Sequence, residues 1–161
     1  MPRSRHFRIG VISDTHGLLR PEAVAALRGS DLILHAGDIG SPTIIPSLRE
    51  IANVVAIRGN IDENSNWAAE FPETEIAEAA GQHIYMLHNL ADLDLNPQAA
   101  KFSAVVFGHS HKPEYYFKSE VLYFNPGSAG PRRFSLPVSV GRINITNGKL
   151  IPELITLEAK K

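Results

Sequence analysis

Phe7-Arg8-Ile9-Gly10-Val11-Ile12 runs directly into Ser13-Asp14-Thr15-His16-Gly17. A short apolar, β-rich run gives way at once to small and polar residues, and the chain repeats this change again and again. Leu32–Leu34 precedes His35-Ala36-Gly37-Asp38, and Val54–Ile57 precedes Arg58-Gly59-Asn60-Ile61-Asp62. Ile84–Leu87 precedes His88-Asn89, and Ala104–Phe107 precedes Gly108-His109-Ser110-His111. Val121–Phe124 precedes Asn125-Pro126-Gly127-Ser128. Continuous apolar runs of this length suit strands buried on both faces. Between the early runs lie helical stretches. Pro21–Arg28 has proline at a plausible first helical position and Gly29 just beyond its end. Pro42–Ile51 is a second candidate and Pro97–Phe102 a short third. Strand and helix in alternation predict crossover units at the start of the fold. Further on, Val138, Val140, Ile143 and Ile145 predict a strand whose alternation breaks at Gly141-Arg142. Asn147-Gly148 then predicts a hairpin turn before Lys149–Ile155. The second half therefore reads as more antiparallel.

The bulk composition fits one globular domain over residues 1–161, since hydrophobic residues make up 43% and charged residues 20% of the chain. Lys and Arg number 16 against 17 Asp and Glu, for a net charge of −1. That balance gives no strong nucleic-acid or membrane signature. The absence of cysteine excludes disulfides and thiolate metal sites. No apolar run approaches membrane-spanning length, and the stretch after the basic Met1–His6 start is too short and broken for a signal peptide. The expected location is the cytoplasm, with the first residues a loose tail.

In open α/β sheets, ligands bind beyond the carboxyl ends of the strands, and every chemically capable cluster falls at such an end. Asp14 and His16 stand two apart, so near a strand end they point to one side, and His109 and His111 repeat the spacing. Asp38 adds a second carboxylate, Asn60 a neutral oxygen and His88 a fourth imidazole. Taken singly, Asp-Thr-His-Gly, Gly-Asp and Gly-Asn-Ile-Asp are ordinary turns, and His88 is a satisfied histidine. It is their order at strand ends in one chain that points to a metal site. Seven nitrogen and oxygen ligands without sulfur suit Mn, Fe, Ni, Co or Zn and are too many for one tetrahedral ion. Two ions sharing a carboxylate would use them all. Around them, His35 reads equally as support for a ligand or as core. Arg58, Arg132 and Arg133 read as phosphate contacts or solvated charges, and Asn125–Ser128 as a structural turn beside the site. Trp67 and Phe71 read as local packing, a pocket wall or a subunit contact, and His6 and His83 as ordinary.

The series Asp14-x-His16, Gly37-Asp38, Gly59-Asn60-x-Asp62, His88, Gly108-His109-x-His111 resembles the calcineurin-like metallophosphoesterases. Length and Asn125-Pro126-Gly127-Ser128 resemble their compact YfcE-type phosphodiesterases. The resemblance runs from about Ile9 to Arg133. It implies an α/β (α+β) fold, a four-layer αββα sandwich of two mixed β-sheets flanked by helices. It also implies two divalent ions, Mn²⁺ first, with Ni²⁺, Fe²⁺, Co²⁺ or Zn²⁺ as alternatives. Asp14, His16 and His111 would hold one, Asn60, His88 and His109 the other, with Asp38 between them and a hydroxide bridging the ions as nucleophile. The implied reaction is hydrolysis of a small phosphodiester. A phosphomonoesterase is the alternative, as is a non-catalytic protein-binding scaffold like the retromer subunit of the same fold. A homo-oligomer stays open. Two positions depart from the wider family. Ile61 stands where many members carry a histidine that can aid the leaving group, and Asn89 stands where glycine more often follows the histidine.

Overall fold

A computed structural model describes residues 6–133 and 135–157. The basic Met1–Arg5 stretch lies outside the described residues.

Strand β1 (His6–Ile12) pairs in parallel with β2 (Leu32–His35), and β2 in parallel with β3 (Asn53–Ala56). The crossovers between them are helices α1 (Pro21–Leu27) and α2 (Ile44–Arg49). Pro21 starts α1 at the position where its missing N–H costs nothing. The second helix begins after Thr43 rather than at Pro42 and ends before Ile51, so it is shorter than the sequence suggests. Its Ile44, Ile45 and Leu48 lie on one stripe and are buried.

Five more strands follow. β4 (Thr74–Ala79) and β5 (Gln82–Leu87) form a hairpin, β6 (Ala104–Val106) lies parallel to β5, and β8 (Val121–Asn125) lies parallel to β6. β7 (Glu114–Lys118) folds back antiparallel on β8. Then β9 (Ser139–Thr146) returns to pair antiparallel with β1, and β10 (Lys149–Thr156) pairs with β9 through the Asn147-Gly148 turn. The result is two five-stranded mixed sheets, in the orders β10-β9-β1-β2-β3 and β4-β5-β6-β8-β7.

The period-two pleat divides the apolar residues between layers. Ile9, Val11, Leu32, Leu34, Ile84, Met86, Val106, Leu122, Phe124 and Ile143 meet between the sheets. Ile12, Ile33 and Ala56 face outward against Ala23 and Leu27 of α1 and Ile44, Ile45 and Leu48 of α2. On the far side, Tyr85, Val105, Val121 and Tyr123 are covered by Leu90, Leu93, Leu95 and Phe102. Each fully buried aliphatic side chain contributes about 1.5–3 kcal/mol. The two mixed sheets and the α/β layering are as expected. The fourth layer is thin, however, being a 3₁₀ turn (Leu90–Asp92) and loop.

The Pro97–Phe102 stretch makes a single turn, not a helix. The Asn96 side chain caps Gln98 and Ala99, and Lys101 ends the turn with φ of 63°. β9 runs on through Gly141-Arg142, and the apolar alternation changes face there as expected: Val138 and Val140 pack on the helix side, Ile143 and Ile145 between the sheets, with Gly141 against the Phe124 ring, where a side chain would collide. The sequence reading missed β4 and β7, the two outermost strands of the second sheet. Among the described residues no helix is long and apolar enough to cross a membrane.

Candidate metal centre

The loops that leave β1, β2, β3, β5 and β6 carry all seven candidate residues, as a C-terminal sheet edge predicts. Asp14, Asp38, His88 and His111 are buried and His16 half-buried, while Asn60 and His109 are exposed at the rim. Asp14 Oδ1 lies 3.3 Å from His111 Nε2, 3.6 Å from His16 Nε2 and 3.8 Å from His88 Nε2. Asp38 Oδ2 lies 3.2 Å from His88 Nε2 and 3.6 Å from His16 Nε2. Ligand atoms of Asp14, His16 and His111 fall within 4.8 Å of one another, and so do those of Asp14, Asp38 and His88. The exposed pair joins through the wall: the His109 ring stands edge-on to His88 at 5.3 Å, and Asn60 lines the same cavity as His88 and His109.

Buried polar atoms are normally paired. Here Asp14 Oδ1, His16 Nε2, His88 Nε2 and His111 Nδ1 have no hydrogen-bond partner. Orphaned oxygen and nitrogen atoms converging on one pocket are what a divalent cation needs, and the donor set fits such an ion. The backbone is held in an unusual form to bring them together. Asp14, His16, Asp38, His109 and His111 all have positive φ, between 47° and 72°, which non-glycine residues seldom adopt and which concentrates at functional sites.

Other residues fix the candidate ligands in place. Asp14 Oδ2 accepts the Ser13 hydroxyl at 2.6 Å and the His109 N–H at 3.1 Å, which leaves Oδ1 free for the pocket. His88 Nδ1 is 2.7 Å from the Ala36 carbonyl, so it donates there and turns Nε2 inward. The Ile61 N–H donates to Asp38 Oδ1 at 3.1 Å, so position 61 serves the site through its backbone. Asp62, buried, accepts the N–H groups of Ile39 (2.9 Å), Gly40 (3.0 Å) and Gly59 (2.9 Å), tying the loop after β3 to the loop that carries Asp38. Asn125 donates to the Gly108 carbonyl and to Ser110 Oγ, bracing the loop of His109 and His111. Ser128 Oγ donates to the Asp14 carbonyl. Two motif glycines are required for space: a Cβ on Gly59 would strike Asp38, and one on Gly108 would come within 2.6 Å of Asp14 Oδ2.

Burial opposes the Asp14 charge, but the imidazoles of His111, His16 and His88 with the Ser13 hydroxyl outweigh it and hold the carboxyl well below its usual range. Burial likewise opposes charge on His88, but Asp38 and Asp14 raise its pKa above the ordinary value. A cation that takes Nε2 displaces that proton.

His35 is fully buried, with Nε2 3.0 Å from Thr15 Oγ1 and Nδ1 accepting the Gly37 N–H at 3.1 Å. Thr15 Oγ1 donates in turn to the Ile39 carbonyl. This neutral imidazole locks the β1 loop to the β2 loop, so the support role is the one its contacts describe. Burial pushes its pKa from 6.5 down to about 4. Its stabilising contribution is therefore fully present above pH 6.5 and is lost as pH falls towards 4. The shift corresponds to about 3 kcal/mol. Urea unfolding at pH 7.5 and pH 4 should show wild type losing about that much more than His35→Asn. Equal losses would refute the role.

Arg58 lines the same cavity, with its guanidinium donating to the Phe71 carbonyl at 2.7 Å and to Glu73 at 3.4 Å. The Asn89 side chain accepts the Ala91 N–H and caps the 3₁₀ turn. Phe71 is buried and Trp67 packs against the helix-side core, while Arg132 and Arg133 are exposed. Sequence reasoning gave no role to Ser13, and although it quoted Asp62 within a motif it did not see its anchoring task.

Residues 7–148 match the calcineurin-like phosphoesterase superfamily domain. A probable metallophosphoesterase of Methanothermobacter thermautotrophicus is 33% identical over 91% of both chains. The phosphodiesterase YfcE of Escherichia coli K12 is 28% identical, over 82% of this chain and 84% of its own. Among solved structures, one described as a novel archaeal phosphodiesterase superposes with a TM-score of 0.77 at 22% identity, covering 94% of this chain and all of that one. Vacuolar protein sorting 29 of Cryptosporidium parvum gives 0.73 at 19% identity, over 92% and 96% of the two chains. These structural likenesses speak for the fold alone, which does not fix function. With the family match, the sequence relatives and the orphaned carboxylate and imidazole atoms together, the chain belongs to the calcineurin-like phosphoesterase superfamily and is a phosphoester hydrolase.

Proposed function

We propose that the protein is a two-metal phosphodiesterase acting on a small soluble substrate, with Mn²⁺ as the first ion to test and the cytoplasm as its place of work. Asp14, His16 and His111 would hold one ion, Asn60, His88 and His109 the second, and Asp38 would lie between them. The observation that carries this reading is the convergence of orphaned, buried atoms, His16 Nε2 at 3.6 Å and His88 Nε2 at 3.8 Å from Asp14 Oδ1, beside an open polar cavity lined by Asn60, His88 and His109. When bound, the ions lower the pKa of a water and offset charge on the phosphoryl oxygens.

The chain's own residues set the rest. Ser13 and the His109 N–H fix Asp14, the Ala36 carbonyl fixes His88, and the Ile61 N–H fixes Asp38, so the ligands need little rearrangement. The cavity, of about 420 Å³, has room for a substituent on a phosphodiester. Its wall carries Glu63, Glu73, Asp92 and Asp94 against Arg58, which is already engaged by Glu73. That wall disfavours a dianionic monoester more than a monoanionic diester. The Ile61 side chain has no proton to give a leaving group.

The test is hydrolysis of bis-p-nitrophenyl phosphate beside p-nitrophenyl phosphate by chelator-stripped protein, with and without Mn²⁺, followed by aryl methyl phosphates of graded leaving-group pKa. Metal-dependent diester cleavage that outruns monoester cleavage, and rises steeply as leaving-group pKa falls, is expected. Faster monoester cleavage would make the protein a phosphomonoesterase. No cleavage by folded protein with any divalent ion would favour a scaffold, and a flat leaving-group dependence would require a general acid.

A further inference from the structure

We propose that β7 pairs with the β7 of a second copy of this chain, antiparallel about a two-fold axis at Tyr116, joining two five-stranded sheets into one of ten. β7 is the last strand of its sheet and has β8 as its neighbour there. It also exposes an unusual surface, with Tyr115 44%, Tyr116 39% and Phe117 57% accessible. An aromatic edge strand left open invites pairing with another chain.

The register follows from the hairpin. Lys118 pairs with Val121 across Ser119-Glu120, both at positive φ, a two-residue turn of the I′ kind. Such a turn closes on a hydrogen-bonded pair, and the pattern alternates from there. Glu114, Tyr116 and Lys118 thus spend their backbone groups on β8, while Tyr115 and Phe117 turn theirs to the free edge. A two-fold axis at Tyr116 sets Tyr115 against Phe117 of the second copy, so the outward-facing residues meet each other and every exposed N–H on both strands finds a carbonyl. Moving the axis to Tyr115 would set Phe117 against Pro113, which has no N–H to give.

The side chains agree with the backbone. Residues 114, 116 and 118 share one face, where Tyr116 already stacks on Tyr123 at 5.1 Å. About the same axis, Glu114 faces Lys118 of the second copy at both ends, and Tyr116 faces its own counterpart. Opposite charges directly across a strand pair stabilise it and like charges oppose it. Glu114 also pairs with Lys112 at 3.4 Å, which leaves a carboxylate to be shared by two ammonium groups. An isologous contact of this kind closes at two copies.

The chain has no cysteine, so one introduced thiol reports the axis directly. Residues facing each other in a non-hydrogen-bonded pair have Cα atoms about 4.5 Å apart, within disulfide reach. The experiment is mild oxidation of Tyr116→Cys and, separately, Tyr115→Cys full-length protein, alongside sedimentation of wild type, Phe117→Pro, Glu114→Lys and Glu114→Lys/Lys118→Glu. Tyr116→Cys should give a covalent dimer at least about 10-fold faster than Tyr115→Cys. Wild type should sediment as a dimer of 17.6 kDa chains, and Phe117→Pro as a folded monomer, since proline is tolerated where an edge N–H faces outward. The single charge reversal should weaken the dimer and the double reversal restore it. A wild-type monomer at all concentrations, equal cross-linking at both positions, or a dimer indifferent to Phe117→Pro would each overturn the proposal. Wild type that stays monomeric yet binds an added extended peptide along β7 would assign the edge to a different partner.

Discussion

Replacing Asp38 by alanine is expected to slow aryl phosphodiester hydrolysis by about 10³-fold or more while leaving the protein folded. Asp38 is buried, and its Oδ2 reaches an imidazole on each side of the pocket, His16 and His88. Removing it takes away the carboxylate placed between the proposed ions. Ion-based stabilisation of transition-state charge amounts to several kcal/mol, and about 4 kcal/mol is a factor of 10³ in rate. The fold survives because the loop is held by other means. Asp14 N–H donates to the Gly37 carbonyl, His16 N–H to the Asp38 carbonyl, and Asp62 receives Ile39 and Gly40. None of these uses the Asp38 side chain. A second readout separates lost metal from lost structure: Mn²⁺ should raise the melting temperature of wild type and leave that of Asp38→Ala almost unmoved. Activity within tenfold of wild type would remove Asp38 from the centre of the mechanism.

The other large effect is expected at Asp62, which touches no proposed ion. Its carboxylate satisfies three buried or half-buried backbone N–H groups from two loops. Alanine leaves all three without a partner, and each unmet donor costs about 1–3 kcal/mol. Loss of about 3–5 kcal/mol of stability is expected, with partial recovery in Asp62→Asn, which keeps one acceptor oxygen. Because the same loops carry Asp38 and Asn60, activity at a temperature where the variant is folded should also fall by about 10–100-fold. Urea unfolding and steady-state rates of Asp62→Ala, beside the exposed control Asn64→Ala, check both parts. A stability change under about 1 kcal/mol would show that water replaces the carboxylate.

How much of this was legible beforehand depended on burial. Apart from the sheet-edge strand β3, the strands that place the candidate ligands are largely buried, so they appear as apolar runs that stop where the chemistry starts, as at Ile12 before Ser13-Asp14. β4 and β7 carry no such run. Their exposed and alternating residues, Thr74-Glu75 and Glu114–Lys118, reflect edge positions in the sheet, where tertiary pairing overrides local signal. Pro97–Phe102 has helical composition but only room for one capped turn. At the site, residue type and spacing singled out the candidate ligands. They did not show the anchoring roles of Asp62 and Asn125, because each depends on a loop about 15–23 residues away that only the folded chain brings near; His35 was legible only as one of two readings, and Ser13, next to Asp14, carried no distinguishing signal. The positive φ of five candidate ligand positions also left no mark in composition, since aspartate and histidine stand where glycine would be the expected residue.

On the proposed reading, this one pocket holds two ions through seven named side chains. Anomalous diffraction at the manganese edge from Mn²⁺-soaked crystals tests it most directly. Two peaks per chain are expected about 3.5–4 Å apart, one against Asp14, His16 and His111 and one against Asn60, His88 and His109, with Asp38 touching both. A single peak, or two peaks of which neither contacts Asn60 and His109, would contradict it.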